Sequence, residues 1–140
     1  MSKKLFRIKQ FGDIITGNTP PTEQEEYYGD DYLFIKATDI DEKLKYTFST
    51  EDMYSQLAYK KYVKSLIPAN SICVVTIGSV GKKMTMSHVP LFVNQAINAI
   101  VPFSADEADY IYYAVKANLS RLKTIDSGTT SGRERMYSLW

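Results

Sequence analysis

The run Ser71-Ile72-Cys73-Val74-Val75-Thr76-Ile77-Gly78-Ser79-Val80-Gly81-Lys82-Lys83-Met84-Thr85-Met86-Ser87 holds two strands and the reversal between them. Ser71 to Ile77 is an unbroken, largely β-branched apolar run of strand length. Gly78 and Gly81 bound a turn that calls for positive φ, which glycine adopts at no steric cost. Lys82 to Ser87 then alternates polar and apolar residues, as a half-exposed strand does.

Toward the C-terminus, His88-Val89-Pro90 reads as a turn, and Phe92-Val93 and Ala96–Val101 as further strands. Ser104-Ala105-Asp106-Glu107 has the spacing of a capping box. Behind it, Ala108, Ile111, Tyr112, Val115, Leu119 and Leu122 recur at helical spacing, which predicts an amphipathic helix to about residue 122. Toward the N-terminus, Pro68-Ala69-Asn70 is a turn. A short helix near 59–66 would place Tyr59, Tyr62, Val63 and Leu66 on one side. Ser49-Thr50-Glu51-Asp52 reads as the start of another helix over about 50–57, with a hydroxyl cap and acids in the first turn. Tyr32–Lys36 is a strand closed by a Thr38-Asp39 turn. The segment from Thr16 through the prolines to Tyr27-Tyr28-Gly29-Asp30 is loop, and Leu5–Phe11 is a strand or extended lead-in broken by Gly12-Asp13. The sum is an α/β chain of the α+β type, a mixed and largely antiparallel sheet with a few helices and no regular βαβ alternation.

Composition limits the function. The chain has 140 residues, 44% hydrophobic and 24% charged, so it fits one globular domain with a core of its own. One cysteine, Cys73, cannot form an internal disulfide and sits in an apolar run, which suits a buried thiol in a reducing, cytoplasmic setting. No apolar segment follows Ser2-Lys3-Lys4, and no run is long enough to span a membrane, so a soluble protein is expected. The single histidine, His88, beside a turn proline, is expected at the surface or as a cap. It makes neither a zinc site nor a nucleophile–histidine pair. Gly78–Gly81 lacks the frame of a phosphate-binding loop. Asp30, Asp31, Asp39 and Asp41 read as solvated loop acids. No cofactor is expected, and nothing in the sequence points to catalysis. Formal net charge is +1, which argues against a strongly basic nucleic-acid domain, but a neutral total can hide a basic face.

Several short segments, in order, resemble the target-recognition domain of type I restriction–modification specificity subunits. Phe6-Arg7-Ile8-Lys9-Gln10-Phe11-Gly12-Asp13-Ile14 looks like that family's opening segment, with Phe-Gly-Asp-Ile for the commoner Leu-Gly-Asp-Ile. Thr16-Gly17-Asn18-Thr19-Pro20 is similar to its G-x-T-P turn. Tyr27-Tyr28-Gly29-Asp30 followed by Leu33-Phe34-Ile35-Lys36-Ala37-Thr38-Asp39-Ile40 resembles the next signature. Leu66–Ile72 leading into Thr76–Lys82 is similar to its central strand and glycine turn. Val93-Asn94-Gln95-Ala96 holds its Asn-Gln pair, and Ser127-Gly128-Thr129-Thr130 resembles its late loop. The resemblance covers residues 5–130 and implies a recognition domain over 1–130 with an irregular tail over 131–140. The long spacer helices of a full subunit are not seen after residue 130.

The resemblance implies a non-catalytic module that reads one half of a bipartite target in double-stranded DNA. Methylation and cleavage would belong to partner methyltransferase and restriction subunits, with self-association or pairing with a second specificity half also open. Candidate DNA contacts are Lys36, Thr38, Thr76, Ser79, Lys82, Lys83, Asn94, Gln95, Thr129, Thr130 and Arg133, which carry donors near strand ends and turns; Lys and Arg suit guanine, Asn and Gln suit adenine. Asn94 and Gln95 could instead tie down neighbouring backbone, and Tyr27 and Tyr28 could be packing residues or a contact platform. The neutral charge leaves open a second reading, a protein-interaction module without DNA binding of its own.

Overall fold

A computed structural model describes residues 8–125. Seven strands and two helices run in the order β1 (Gly12–Thr16), β2 (Tyr28–Ile35), β3 (Asp52–Tyr54), α1 (Gln56–Tyr62), β4 (Ile72–Val75), β5 (Met84–Met86), β6 (Phe92–Val93), β7 (Ile97–Pro102) and α2 (Ala108–Ile125). The fold is α+β. One sheet has the order β1-β7-β4-β5 and is antiparallel throughout; the other has the order β3-β2-β6, with β2 and β6 parallel.

The central apolar run explains the layering. Alternate side chains of a strand point to opposite faces. Ile72 and Val74 of β4 pack with Met84, Met86, Ile100 and the helix face Ala108, Ile111, Tyr112, Val115 and Leu119. Cys73 and Val75 point the other way, toward Ile35, Leu91 and Val93 of the second sheet. That sheet in turn buries Phe34, Tyr54 and Phe92 with Tyr27 and Ala58, against which Tyr59, Tyr62 and Leu66 pack. The layers are therefore α2, four-stranded sheet, three-stranded sheet, α1. A strand covered on both faces has no polar alternation, which is why Ile72–Val75 is apolar at every position.

Several expectations change. Residues 50–57 are not a helix. Asp52–Tyr54 pairs with β2, Tyr54 is fully buried, and the helix starts one residue past Ser55, whose Oγ accepts the Ala58 N–H. Burial of a tyrosine in the sheet outweighs the local helix-start signal. Val63 lies on the exposed side, not with Tyr59 and Tyr62. Met84, Thr85 and Met86 are all buried, because the segment around Lys45–Thr47 covers the free edge of β5: Met86 N–H donates to Lys45 O at 2.8 Å and the Thr47 and Thr85 hydroxyls meet at 2.9 Å. Ser104 caps no helix through its side chain; it precedes a 3-10 turn over Ala105–Glu107, and α2 begins after that. At the ends of the predicted loop, Gly12–Thr16 is β1 rather than a break, and β2 starts at Tyr28 with a bulge before Tyr32; Ile8–Gln10 is a 3-10 turn. His88 is neither capping nor free at the surface: half-buried, its ring meets the edge of Phe48 at 4.7 Å.

Cys73 has no solvent exposure, and burial pushes its thiol from 9.0 up to about 12. Between those values the folded chain keeps a proton that the unfolded chain has lost, so stability falls as pH rises. The expected slope from this one group is about 1.4 kcal/mol per pH unit. Urea midpoints taken from pH 8 to pH 11 on the wild type and Cys73→Ala will show it as a steeper alkaline decline in the wild type. Parallel curves would refute it.

Candidate functional site

The two sheets present their strand ends at one rim. In the four-stranded sheet, Thr16 at the end of β1 pairs with Asn98, Val75 at the end of β4 pairs with Ile97, and Val74 pairs with Met84 at the start of β5. In the three-stranded sheet, the ends of β2 and β6 meet at Ile35 and Val93, and Asp52 opens β3 beside Phe34. Asn94 stitches the sheets together: its N–H donates to Ile35 O at 3.1 Å and its C=O accepts from Ile97 N–H at 3.1 Å. The loops leaving these ends are 16–20, 36–39, 76–83 and 94–96. Eight candidate contact residues lie on them: Lys36, Thr38, Thr76, Ser79, Lys82, Lys83, Asn94 and Gln95. Thr129, Thr130 and Arg133 lie outside the described residues.

The loop after β1 lies close against the Asn94 turn. Gly17 N–H donates to Ile97 O and Asn18 N–H to Val93 O, both at 3.2 Å. A β-carbon on Gly17 would fall 2.1 Å from Asn94 O and 2.2 Å from Val93 O, so only glycine fits this approach. Asn94 Oδ1 accepts the Ala96 N–H at 3.0 Å, Gln95 Oε1 accepts from the Thr19 hydroxyl, and Thr76 Oγ1, buried, donates to Ala96 O at 3.1 Å. Of the two roles open for Asn94, the backbone tie is present.

Asp39 was missed as a structural residue. Its two carboxylate oxygens accept backbone N–H groups from different segments, Lys36 at 2.8 Å and Glu51 at 3.0 Å, and so fix the turn after β2 to the start of β3. It is not a solvated acid. An aspartate three residues beyond a strand end, able to close a turn through its side chain, was the available signal.

The lysines differ. Lys36 Nζ donates to Asp52 Oδ2 at 3.0 Å and Glu51 Oε2 at 3.2 Å; the bond to Asp52, with burial opposing, raises its pKa above the ordinary lysine value. Lys83 Nζ donates to Ala37 O at 2.9 Å and holds the β4–β5 hairpin against the turn after β2. Lys82 is exposed, with no side-chain partner among the described residues; Thr38 and Ser79 are likewise unpaired. The hairpin keeps its turn through Gly78 and Gly81, at φ 83° and 80°. Tyr27 and Tyr28 serve packing: Tyr27 is buried, its ring set at an angle to Tyr62, and Tyr28 donates its hydroxyl to Pro20 O at 3.1 Å. Among the described residues no three His, Cys, Asp or Glu side chains gather to hold a metal ion, and no helix is long and apolar enough to cross a membrane.

The family model described as type I restriction modification DNA specificity domain matches residues 2–139. The chain belongs to this family. It is 35% identical over 130 residues to the Type I restriction enzyme HindI specificity subunit of Haemophilus influenzae, covering 91% of this chain and 28% of that protein. It is 28% identical over 127 residues to the MjaIX specificity subunit of Methanocaldococcus jannaschii, covering 89% and 29%. The chain thus spans under a third of the length of these specificity subunits. Its fold is that of the HsdS subunit from Thermoanaerobacter tengcongensis, with a TM-score of 0.55 at 12% identity over 96% of this chain and 34% of that one. A chain from a structure on complex assembly and conformational transition of the type I R-M system matches with a TM-score of 0.58 at 15% identity, over 84% and 29%. The sequence resemblance to a type I specificity domain is borne out.

Proposed function

We propose that this specificity domain reads one short half of a split target in double-stranded DNA, through the rim formed by loops 16–20, 36–39, 76–83 and 94–96. In this reading the chain is non-catalytic, takes no cofactor, and works in the cytoplasm with a methyltransferase subunit and, through it, a restriction subunit. The observation that carries the proposal is convergence: segments far apart in sequence, each with hydrogen-bonding side chains, meet at one end of two rigid sheets. Base edges are read by such side chains, whereas phosphate contacts supply most of the affinity.

The charge pattern fits this division. Of the rim lysines Lys36, Lys82 and Lys83, only Lys82 lacks a side-chain partner among the described residues. A rim with so little free positive charge depends on the partner subunit for phosphate grip. The chain alone is expected to bind duplex DNA weakly, with a slope of log affinity against log salt of about −1 to −2. The complex with a methyltransferase subunit of the same system should show a much steeper slope. Mapping methylated sites after assembly tests the proposal directly. A recurrent half-target confirms it, and methylation with no sequence preference leaves only an interaction module.

A further inference from the structure

Resting on that reading, we infer that the rim divides into side chains that read and side chains that hold: Thr38, Ser79 and Lys82 discriminate the DNA, and Asn94 is a positioning residue that fixes where they stand.

Asn94 has the residue type suited to adenine, but its side-chain oxygen and both its main-chain groups are already engaged. Its main-chain N–H and C=O bridge Ile35 in one sheet and Ile97 in the other. Its side chain accepts the Ala96 N–H. A backbone N–H can only donate, so that contact fixes which end of the amide is oxygen. To swing its oxygen round for the bidentate contact with adenine, the amide must release Ala96. Ala96 O receives both the N–H and the hydroxyl of Thr76, the first residue after β4. The path from Asn94 to the β4–β5 hairpin is therefore two short contacts long, and the hairpin carries Ser79 and Lys82.

The readers are the side chains that nothing restrains. Thr38 is exposed in a turn that Asp39 closes with one carboxylate oxygen and ties to Glu51 with the other. Lys83 donates to the carbonyl of Ala37, next to Thr38, and so sets the hairpin tip beside that turn. Three unpaired polar side chains thus stand together on a base held by the bonds of Asp39, Thr76, Lys83 and Asn94. A reading surface needs this arrangement: free donors and acceptors on rigid support.

The test uses the 140-residue chain assembled with a methyltransferase subunit of the same system, with methylated sites mapped across plasmid DNA and affinity and thermal stability measured in parallel. Asn94→Ala should lower affinity by a similar factor at all sites and lower the melting temperature. Asn94→Asp keeps the acceptor for Ala96; its added charge weakens binding evenly, and the site map stays that of the wild type. The triple variant Thr38→Val, Ser79→Ala, Lys82→Ala, which removes no internal side-chain bond, should keep its melting temperature and lose about tenfold or more of its preference at one or more base positions. A changed site map for Asn94→Asp overturns the inference, as does an unchanged map for the triple variant. If the wild-type complex itself shows no preference, the DNA-reading proposal fails before this one is reached.

Discussion

Gly17→Ala is expected to destabilise the fold by about 3 kcal/mol or more, lowering the melting temperature by roughly 10 °C. The new methyl group would lie 2.1 Å from Asn94 O and 2.2 Å from Val93 O, and both are backbone atoms that cannot swing aside. Relief requires moving the loop after β1 or the Asn94 turn. Either movement stretches the bonds from Gly17 to Ile97 and from Asn18 to Val93. The variant should therefore lose DNA affinity by a similar factor at all sites along with stability. A denaturant midpoint within about 0.5 kcal/mol of wild type would show that the loop yields freely, contrary to the packing described.

The second large effect is at Tyr54. Its ring is fully buried, stacked on Phe34 at 4.5 Å and tilted over Phe92 at 4.6 Å, and its hydroxyl donates to Asn18 O at 3.2 Å. Tyr54→Ala should cost about 4 kcal/mol, the usual range for emptying an aromatic site in a core. Tyr54→Phe keeps the packing and loses one hydrogen bond, at about 1 kcal/mol. Urea denaturation of both variants separates the two contributions. Equal losses would mean that the hydroxyl, not the ring, carries the effect. The residue ties the core beneath α1 to the rim, so its loss should reach Asn18 and the loop that contains it.

Much of this was legible in the sequence, for reasons that particular residues make plain. The glycine-bounded hairpin, the strand at Ile72–Val75 and the helix face Ala108–Leu119 depend on local pattern, and they are found close to where that pattern placed them. Asp52–Tyr54 did not follow its local signal, because the pairing with β2 and the aromatic core around Tyr54 come from residues distant in the chain. Met84–Met86 misled for the same reason: its alternation marks an edge strand, but a segment some forty residues earlier covers that edge. At the rim, residue type and nearness to turns mark the candidate residues, and the eight described ones share one end of the molecule. What the sequence could not disclose is which of them are already hydrogen-bonded. Lys36, Lys83 and Asn94 have internal partners supplied by Asp52, Ala37 and Ala96. No motif distinguishes such a lysine from the unpaired Lys82.

Among the described residues nothing lies within 4 Å of where a side chain on Gly78 would begin. A hairpin lengthened by a residue or two at that tip would meet no obstacle, provided the left-handed backbone geometry is kept. The reach of the tip could then change while every buried contact below it stays as it is. If the tip reads DNA as proposed, new target preferences can arise there by insertion, without the stability loss that usually accompanies change at a packed site.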